Sequence, residues 1–204
     1  MAMPAWERRL WRGLEEGQAF FMGGGRILDA ARALARTLEA EGIPYAIVGA
    51  LALNAHGYER FTSDVDLLVT RDGLARLKAR LLGRGYVEKF PGSRGLRDTV
   101  HGVNIDVLVA GDFPGDGKPK PVAFPDPSIA ERGDFGRVVP LHTLLELKLA
   151  SGMTAPHRLK DLADVMELIR ARALPASTAD TLDPYVRAKF LELHAAASSA
   201  PPEE

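Results

Sequence analysis

The chain has 204 residues, 46% of them hydrophobic and 26% charged, which excludes a disordered or fibrous protein and suits one compact core with an appendage. Its 26 basic and 27 acidic residues give a net charge of -1, so no global field draws it to nucleic acid or to an anionic membrane. With no cysteine, disulfides, thiolate metal sites and thiol nucleophiles are excluded.

The N-terminal stretch carries Glu7, Arg8, Arg9, Glu15 and Glu16 and is too charged for a secretory apolar core. No apolar run reaches the roughly 20 residues that span a bilayer, so the expected location is the cytoplasm, with no membrane partner. Trp6, Leu10, Trp11 and Leu14 fit an amphipathic helix that packs on the domain, with a partner-binding helix as the alternative. The glycines of Met22 to Arg26 lack the Lys-Ser/Thr ending of a phosphate loop.

From Arg26 to Glu41, Ile27, Leu28, Ala31, Leu34, Ala35 and Leu38 recur at steps of three and four, which predicts a helix stopped by Gly42. Tyr45 to Val48 reads as a buried strand, Ala50 to His56 as a helix and Val65 to Val69 as a second buried strand. Asp72 is the expected cap of a helix from Gly73 to Leu82. Strands are then expected over Val87 to Phe90 and Thr99 to Val109, with a polar turn from Pro91 to Arg97 between them.

Gly111 to Pro127 is rich in Gly, Pro and Asp and reads as a functional loop or a hinge. Leu141 to Ala150, Leu159 to Arg172 and Leu182 to His194 are candidate helices. The expected organisation is an N-terminal helical extension over 1–24, a core over 25–140, a helical region over 141–194 and a disordered tail over 195–204. No spacing among His56, His101, His142, His157 and His194 suits a zinc site.

Asp64 and Asp66 open a strand two positions apart, so both carboxylates face the same way, roughly 7 Å apart at their Cα atoms. Like charges this close call for a cation, and an oxygen-only donor set suits Mg²⁺. Asp106 lies within the apolar run Val103 to Val109, where a carboxylate without a role is costly; a water-facing edge charge is the other reading. Gly49 stands between strand and helix, where a missing side chain lets a phosphate approach, or where it merely makes a turn.

The stretch from Tyr45 to Val69 (YAIVGALALNAHGYERFTSDVDLLV) resembles the nucleotidyltransferase superfamily of DNA polymerase beta-like fold. It looks most like the small bacterial branch that includes the AbiEii-type toxins. In that branch a strand ends in a glycine pair, and an Arg-x-Thr-x-Asp-x-Asp segment enters the next strand. Arg60, Thr62, Asp64 and Asp66 occupy those places. Leu144 to Ala150 and Arg158 to Asp164 are similar to the branch's lysine and aspartate motifs, so the resemblance runs from about Tyr45 to Leu168. One departure is Gly49-Ala50 where the superfamily has Gly-Ser or Gly-Gly, so Ala50 brings no hydroxyl.

The resemblance implies an α+β (α/β) nucleotidyltransferase fold, a short mixed sheet flanked by helices with a C-terminal helical extension. It implies transfer of a nucleoside monophosphate from a nucleoside triphosphate, with Asp64, Asp66 and Asp106 holding Mg²⁺ or Mn²⁺. Gly49, Ala50, Arg60, Ser63 and Lys148 would contact the nucleotide, and Asp161 would orient Lys148. The implied acceptor is an RNA end such as that of tRNA, a protein or a small molecule, and a toxin with an antitoxin partner is one setting. The alternative is a catalytically degenerate module of the same fold that binds a nucleotide or a partner.

Overall fold

The computed structural model describes residues 4–199. It begins with α1 (Ala5–Phe21) and α2 (Arg26–Ala40), followed by β1 (Tyr45–Ile47), α3 (Gly49–Ala55), β2 (Asp64–Val69) and α4 (Arg71–Leu81). The strands β3 (Tyr86–Glu88), β4 (Leu96–Asp98) and β5 (Val103–Val109) come next, then the hairpin β6 (Glu131–Gly133) and β7 (Gly136–Val138). The helices α5 (Leu141–Thr154), α6 (Leu159–Ala171) and α7 (Pro184–Ser199) complete the chain.

The strands form one mixed sheet in the order β3-β4-β5-β2-β1-β7-β6, with β2–β5 and β1–β7 parallel and the other pairs antiparallel. Both edges are three-residue strands, β3 and β6. In β2 and β1 nearly every side chain is buried, because helices cover these central strands. β5 alternates instead, burying Val103, Ile105, Val107 and Val109 while Asn104, Asp106 and Leu108 face a less crowded side.

The core joins α2 (Ile27, Leu34, Leu38) to the sheet and continues into α5, α6 and α7 through Leu145, Leu149, Val165, Val186 and Phe190. Phe190 is fully buried. Phe190→Ala is therefore expected to destabilise the protein by about 3–5 kcal/mol through the cavity it leaves, a loss that urea denaturation reads directly.

Several boundaries differ from the sequence expectation for local reasons. α4 begins two residues early, because the Thr70 hydroxyl rather than Asp72 caps it by accepting from the Gly73 N–H at 2.9 Å. The strand expected over Thr99 to Val109 is broken. Asp98 Oδ1 accepts from the Val100 and His101 N–H groups and folds 99–102 into a turn, and β4 forms across the end of the expected polar turn. The β6–β7 hairpin was not anticipated, since three-residue strands carry no readable period. Ala195 to Ser199, expected in a disordered tail, continue α7; the rest of that tail lies outside the described residues. Among the described residues, no helix is long and apolar enough to cross a membrane.

Candidate active site

Strand register brings two of the expected acids together. β2 and β5 run parallel with Asp66 abreast of Asp106 and Asp64 abreast of Asn104. Adjacent strands lie about 4.8 Å apart, so Asp66 and Asp106 are neighbours on one face and Asp64 sits one pleat along. Asp66 and Asp106 line a cleft of about 530 Å³. Asp64 is not among the lining residues; its Oδ1 accepts from Thr62 Oγ1 at 2.6 Å.

Asp66 is electrostatically the most perturbed acid of the site. Burial, then the charge of Asp64, then that of Asp106 push its carboxyl up from 3.8 to about 6, against the opposing pull of Lys148 and Arg158. Gly49 makes this placement possible. Its φ is +62°, and a Cβ built there would lie inside the Asp66 carboxylate, 2.7 Å from Cγ. The space expected to admit a phosphate is thus filled by Asp66 itself. Gly49→Ala is expected to cost about 3 kcal/mol, from left-handed strain plus overlap, and the measurement is a thermal or urea melt beside a neutral surface variant.

The opposite wall comes from α5 and α6. Lys148 Nζ donates to Asp161 Oδ1 at 3.1 Å and to Asp164 Oδ2 at 2.6 Å, all three residues being buried. Arg60 Nη1 donates to the same Asp164 oxygen at 2.9 Å, and Arg158 Nε donates to Asp161 Oδ2 at 2.8 Å. Ser151 Oγ also donates to Asp161 Oδ2, at 2.7 Å. The result is a chain of alternating charge: Arg60, Asp164, Lys148, Asp161, Arg158. Burial raises the pKa of Asp161, but Lys148, Ser151 and Arg158 together outweigh it and hold that carboxyl below its usual value.

Lys148 and Asp161 line the cleft, whereas Arg60, Ser63 and Ala50 are not among its lining residues. Arg60 is held by Asp164, Ser63 is exposed on the turn before β2, and Ala50 is buried in the first turn of α3.

Several lining residues were not singled out from the sequence: Phe90, Arg94, Phe113, Phe124, Ser151 and Arg158. Two of them, Phe113 and Phe124, belong to the long loop whose composition suggested a role. That loop is closed by paired amides, Gly111 N–H to Phe124 O and Phe124 N–H to Asp112 O, both 2.8 Å. Lys120 Nζ fastens it to Asp116 at 2.5 Å and to Thr154 Oγ1 at 3.3 Å. Arg94 reaches Asp112 from the β3–β4 turn at 2.5 Å.

Lys89, also unanticipated, places Nζ 2.5 Å from Asp106 Oδ1. Among the described residues, no three His, Asp or Glu side chains gather closely enough to hold a metal ion. The donor chemistry nonetheless fits one. Asp66 is a carboxylate raised by burial and by two like charges, and no hydrogen bond to it is found among the described residues.

No family model matches the chain, and no curated protein matches it. Solved structures do. The chain is similar to ANT(2'')-Ia in a crystal complex with adenylyl-2''-tobramycin, at 14% identity and a TM-score of 0.53, over 81% of this chain and 97% of that one. It is likewise similar to the solution structure of the antibiotic-resistance factor ANT(2'')-Ia, at 16% identity and a TM-score of 0.50, over 84% and 93%. The architecture is a nucleotidyltransferase fold: a mixed α+β sheet flanked by helices.

Proposed function

We propose that this protein transfers a nucleoside monophosphate from a nucleoside triphosphate to a hydroxyl or phosphate acceptor. The observation that carries the reading is Asp66 abreast of Asp106 on parallel strands, lining a cleft that Lys148 and Arg158 also line. Asp66 and Asp106, with Asp64 one pleat away, are the residues that would hold Mg²⁺ or Mn²⁺. Such an ion, when bound, supplies charge neutralisation at the triphosphate and at the departing pyrophosphate.

The chain's own groups divide the remaining work. Asp106, the more exposed acid, accepts the acceptor's hydroxyl proton once Lys89 moves aside. Lys148 and Arg158 face the growing negative charge of the leaving group, and Asp161 positions both cations by bonding to each. Phe90, Phe113 and Phe124 offer flat apolar surface to a base or to an apolar part of the acceptor.

The likeness of the Tyr45 to Val69 segment to AbiEii-type toxins makes an RNA end the first acceptor to test and an antitoxin the first partner. The adenylylated tobramycin of the ANT(2'')-Ia complex supplies a second acceptor arm. The test is incubation with each labelled triphosphate, Mn²⁺ and, separately, bulk RNA, cell protein or tobramycin. Pyrophosphate release with label on one acceptor is the expected result; no release with any combination overturns the reading.

A second reading, a binding module without turnover, is favoured by the Lys89–Asp106 contact, which occupies one carboxylate oxygen of the proposed base. It predicts a thermal shift with a triphosphate and no pyrophosphate.

A further inference from the structure

The row that holds Asp66 and Asp106 continues one strand further. β4 runs antiparallel to β5 with Leu96 abreast of Ile105, so Gly95, one residue before β4, stands beside Asp106 on the side away from Asp66. Its φ lies outside the left-handed region, so the backbone conformation does not demand glycine. The neighbours do: a Cβ on Gly95 would lie 2.8 Å from Lys89 Cδ, 3.0 Å from Ile105 O and 3.4 Å from Asp106 Oδ1. The stem of Lys89 crosses this bare position. Its backbone N–H donates to Gly95 O at 3.2 Å, and its Nζ reaches Asp106 Oδ1 at 2.5 Å.

We infer that Lys89 is a built-in counter-cation of Asp106, which a divalent ion must displace before this acid can serve it; the inference rests on the reading of Asp66 and Asp106 as metal-holding acids. The neighbouring cations are committed elsewhere. Lys148 bonds to Asp161 and Asp164, Arg158 to Asp161, Arg60 to Asp164 and Arg94 to Asp112. The Lys89 contact is loosely held by comparison. Its two side chains are 29% and 41% exposed, an ion pair so open to solvent contributes little, and Nζ keeps two further donors for water. A divalent ion shared among carboxylates carries twice the charge and gains an oxygen ligand from each.

The exchange asks only the lysine side chain to move, because its turn is pinned at several points. Lys78 Nζ donates to Glu88 Oε1 at 2.7 Å and to Ser93 O at 2.6 Å. Glu88 Oε2 accepts from the Gly92 N–H at 2.8 Å, and Ser93 Oγ accepts from the Gly95 N–H at 3.1 Å. Phe90, Ser93, Arg94 and Gly95 of this turn line the cleft, whereas Lys89 is not among its lining residues. The displaced ammonium therefore has solvent to enter, stays on its tether and returns when the ion leaves. Until then it spares the metal-free protein two bare carboxylates that repel each other.

The test is Mn²⁺ binding without nucleotide, measured by calorimetry on the full chain and on Lys89→Met, beside acylation of the lysine amines read by mass spectrometry. Lys89→Met should bind Mn²⁺ about tenfold more tightly, since it removes both a competitor for Asp106 and a charge that repels the ion. In the wild type, Mn²⁺ should speed acylation at Lys89 and leave Lys78 unchanged. Asp106→Asn should be acylated rapidly at Lys89 with or without the ion. Equal or weaker Mn²⁺ binding by Lys89→Met overturns the inference, as does no binding by either protein. Acylation of Lys89 that ignores Mn²⁺, or that stays slow in Asp106→Asn, overturns it as well. None of these readouts needs turnover. Pyrophosphate release by a protein that fails them removes the lysine's role and leaves transfer standing; tighter binding by Lys89→Met without pyrophosphate release does the reverse.

Discussion

Asp66→Asn is expected to cut nucleotidyl transfer by about a thousandfold or more while making the metal-free protein more stable at neutral pH. The two effects have one origin. Burial and the charges of Asp64 and Asp106 raise this carboxyl from 3.8 to about 6 in the fold, so the native state holds its proton more tightly than the unfolded chain does. Between about pH 4 and pH 6 the native state binds more protons, and stability falls as pH rises through that window. Above it the whole penalty, about 3 kcal/mol, is present.

Asparagine keeps the shape of the neutral form and never ionises, so the variant's stability should stay level where that of the wild type declines. In chelator-containing buffer, melts from pH 4 to 7.5 should therefore diverge, with the variant higher at the alkaline end. Mn²⁺ should then raise the wild type and leave the variant nearly unmoved. Identical pH profiles for the two proteins would remove the electrostatic account of the site. Intact transfer by the variant would remove its assignment as the metal-binding acid.

Lys148→Met should destabilise the protein by about 3–5 kcal/mol, because it strands Asp161 and Asp164 as buried carboxylates with only Arg60 and Arg158 at the ends of the chain of charges. The loss belongs to the uncompensated acids rather than to a missing attraction. Combining the change with Asp161→Asn and Asp164→Asn should accordingly recover most of it. Urea denaturation of the single and triple variants decides the matter, and a Lys148→Met protein as stable as the wild type would show that the network carries no such strain. Transfer by the single variant, assayed where it is still folded, should drop yet remain measurable, since Arg158 still faces the leaving group.

Much of this arrangement could be read before any coordinates. Asp64 and Asp66 are local in sequence, so strand alternation alone puts them on one face, and the apolar run around Asp106 marks it as the odd member of a buried strand. What alternation does not give is register. That Asp66, not Asp64, stands abreast of Asp106 follows from the parallel pairing of β2 with β5, a contact across forty positions.

Arg60 shows another long-range contact that the sequence does not announce. Its place in the resembling segment suggested a nucleotide contact, and nothing local in the sequence announced its ion pair with Asp164, over a hundred positions away. Lys89 was invisible for a simpler reason: one lysine beside a polar turn looks like solvent-facing charge until the β3–β4 turn folds it onto Asp106. The glycine at position 49 stood out in the sequence as a strand-to-helix junction, and the group that occupies the place of its missing side chain is a carboxylate of this chain.

The margins of the sheet carry a consequence for behaviour at high concentration. β3 and β6 are three residues each, and β6 bears Glu131 and Arg132, both exposed. A stray strand arriving at either margin meets too few unpaired amides to hold it, and two fixed charges at one of them. Crowded samples should therefore resist fibril growth by strand addition.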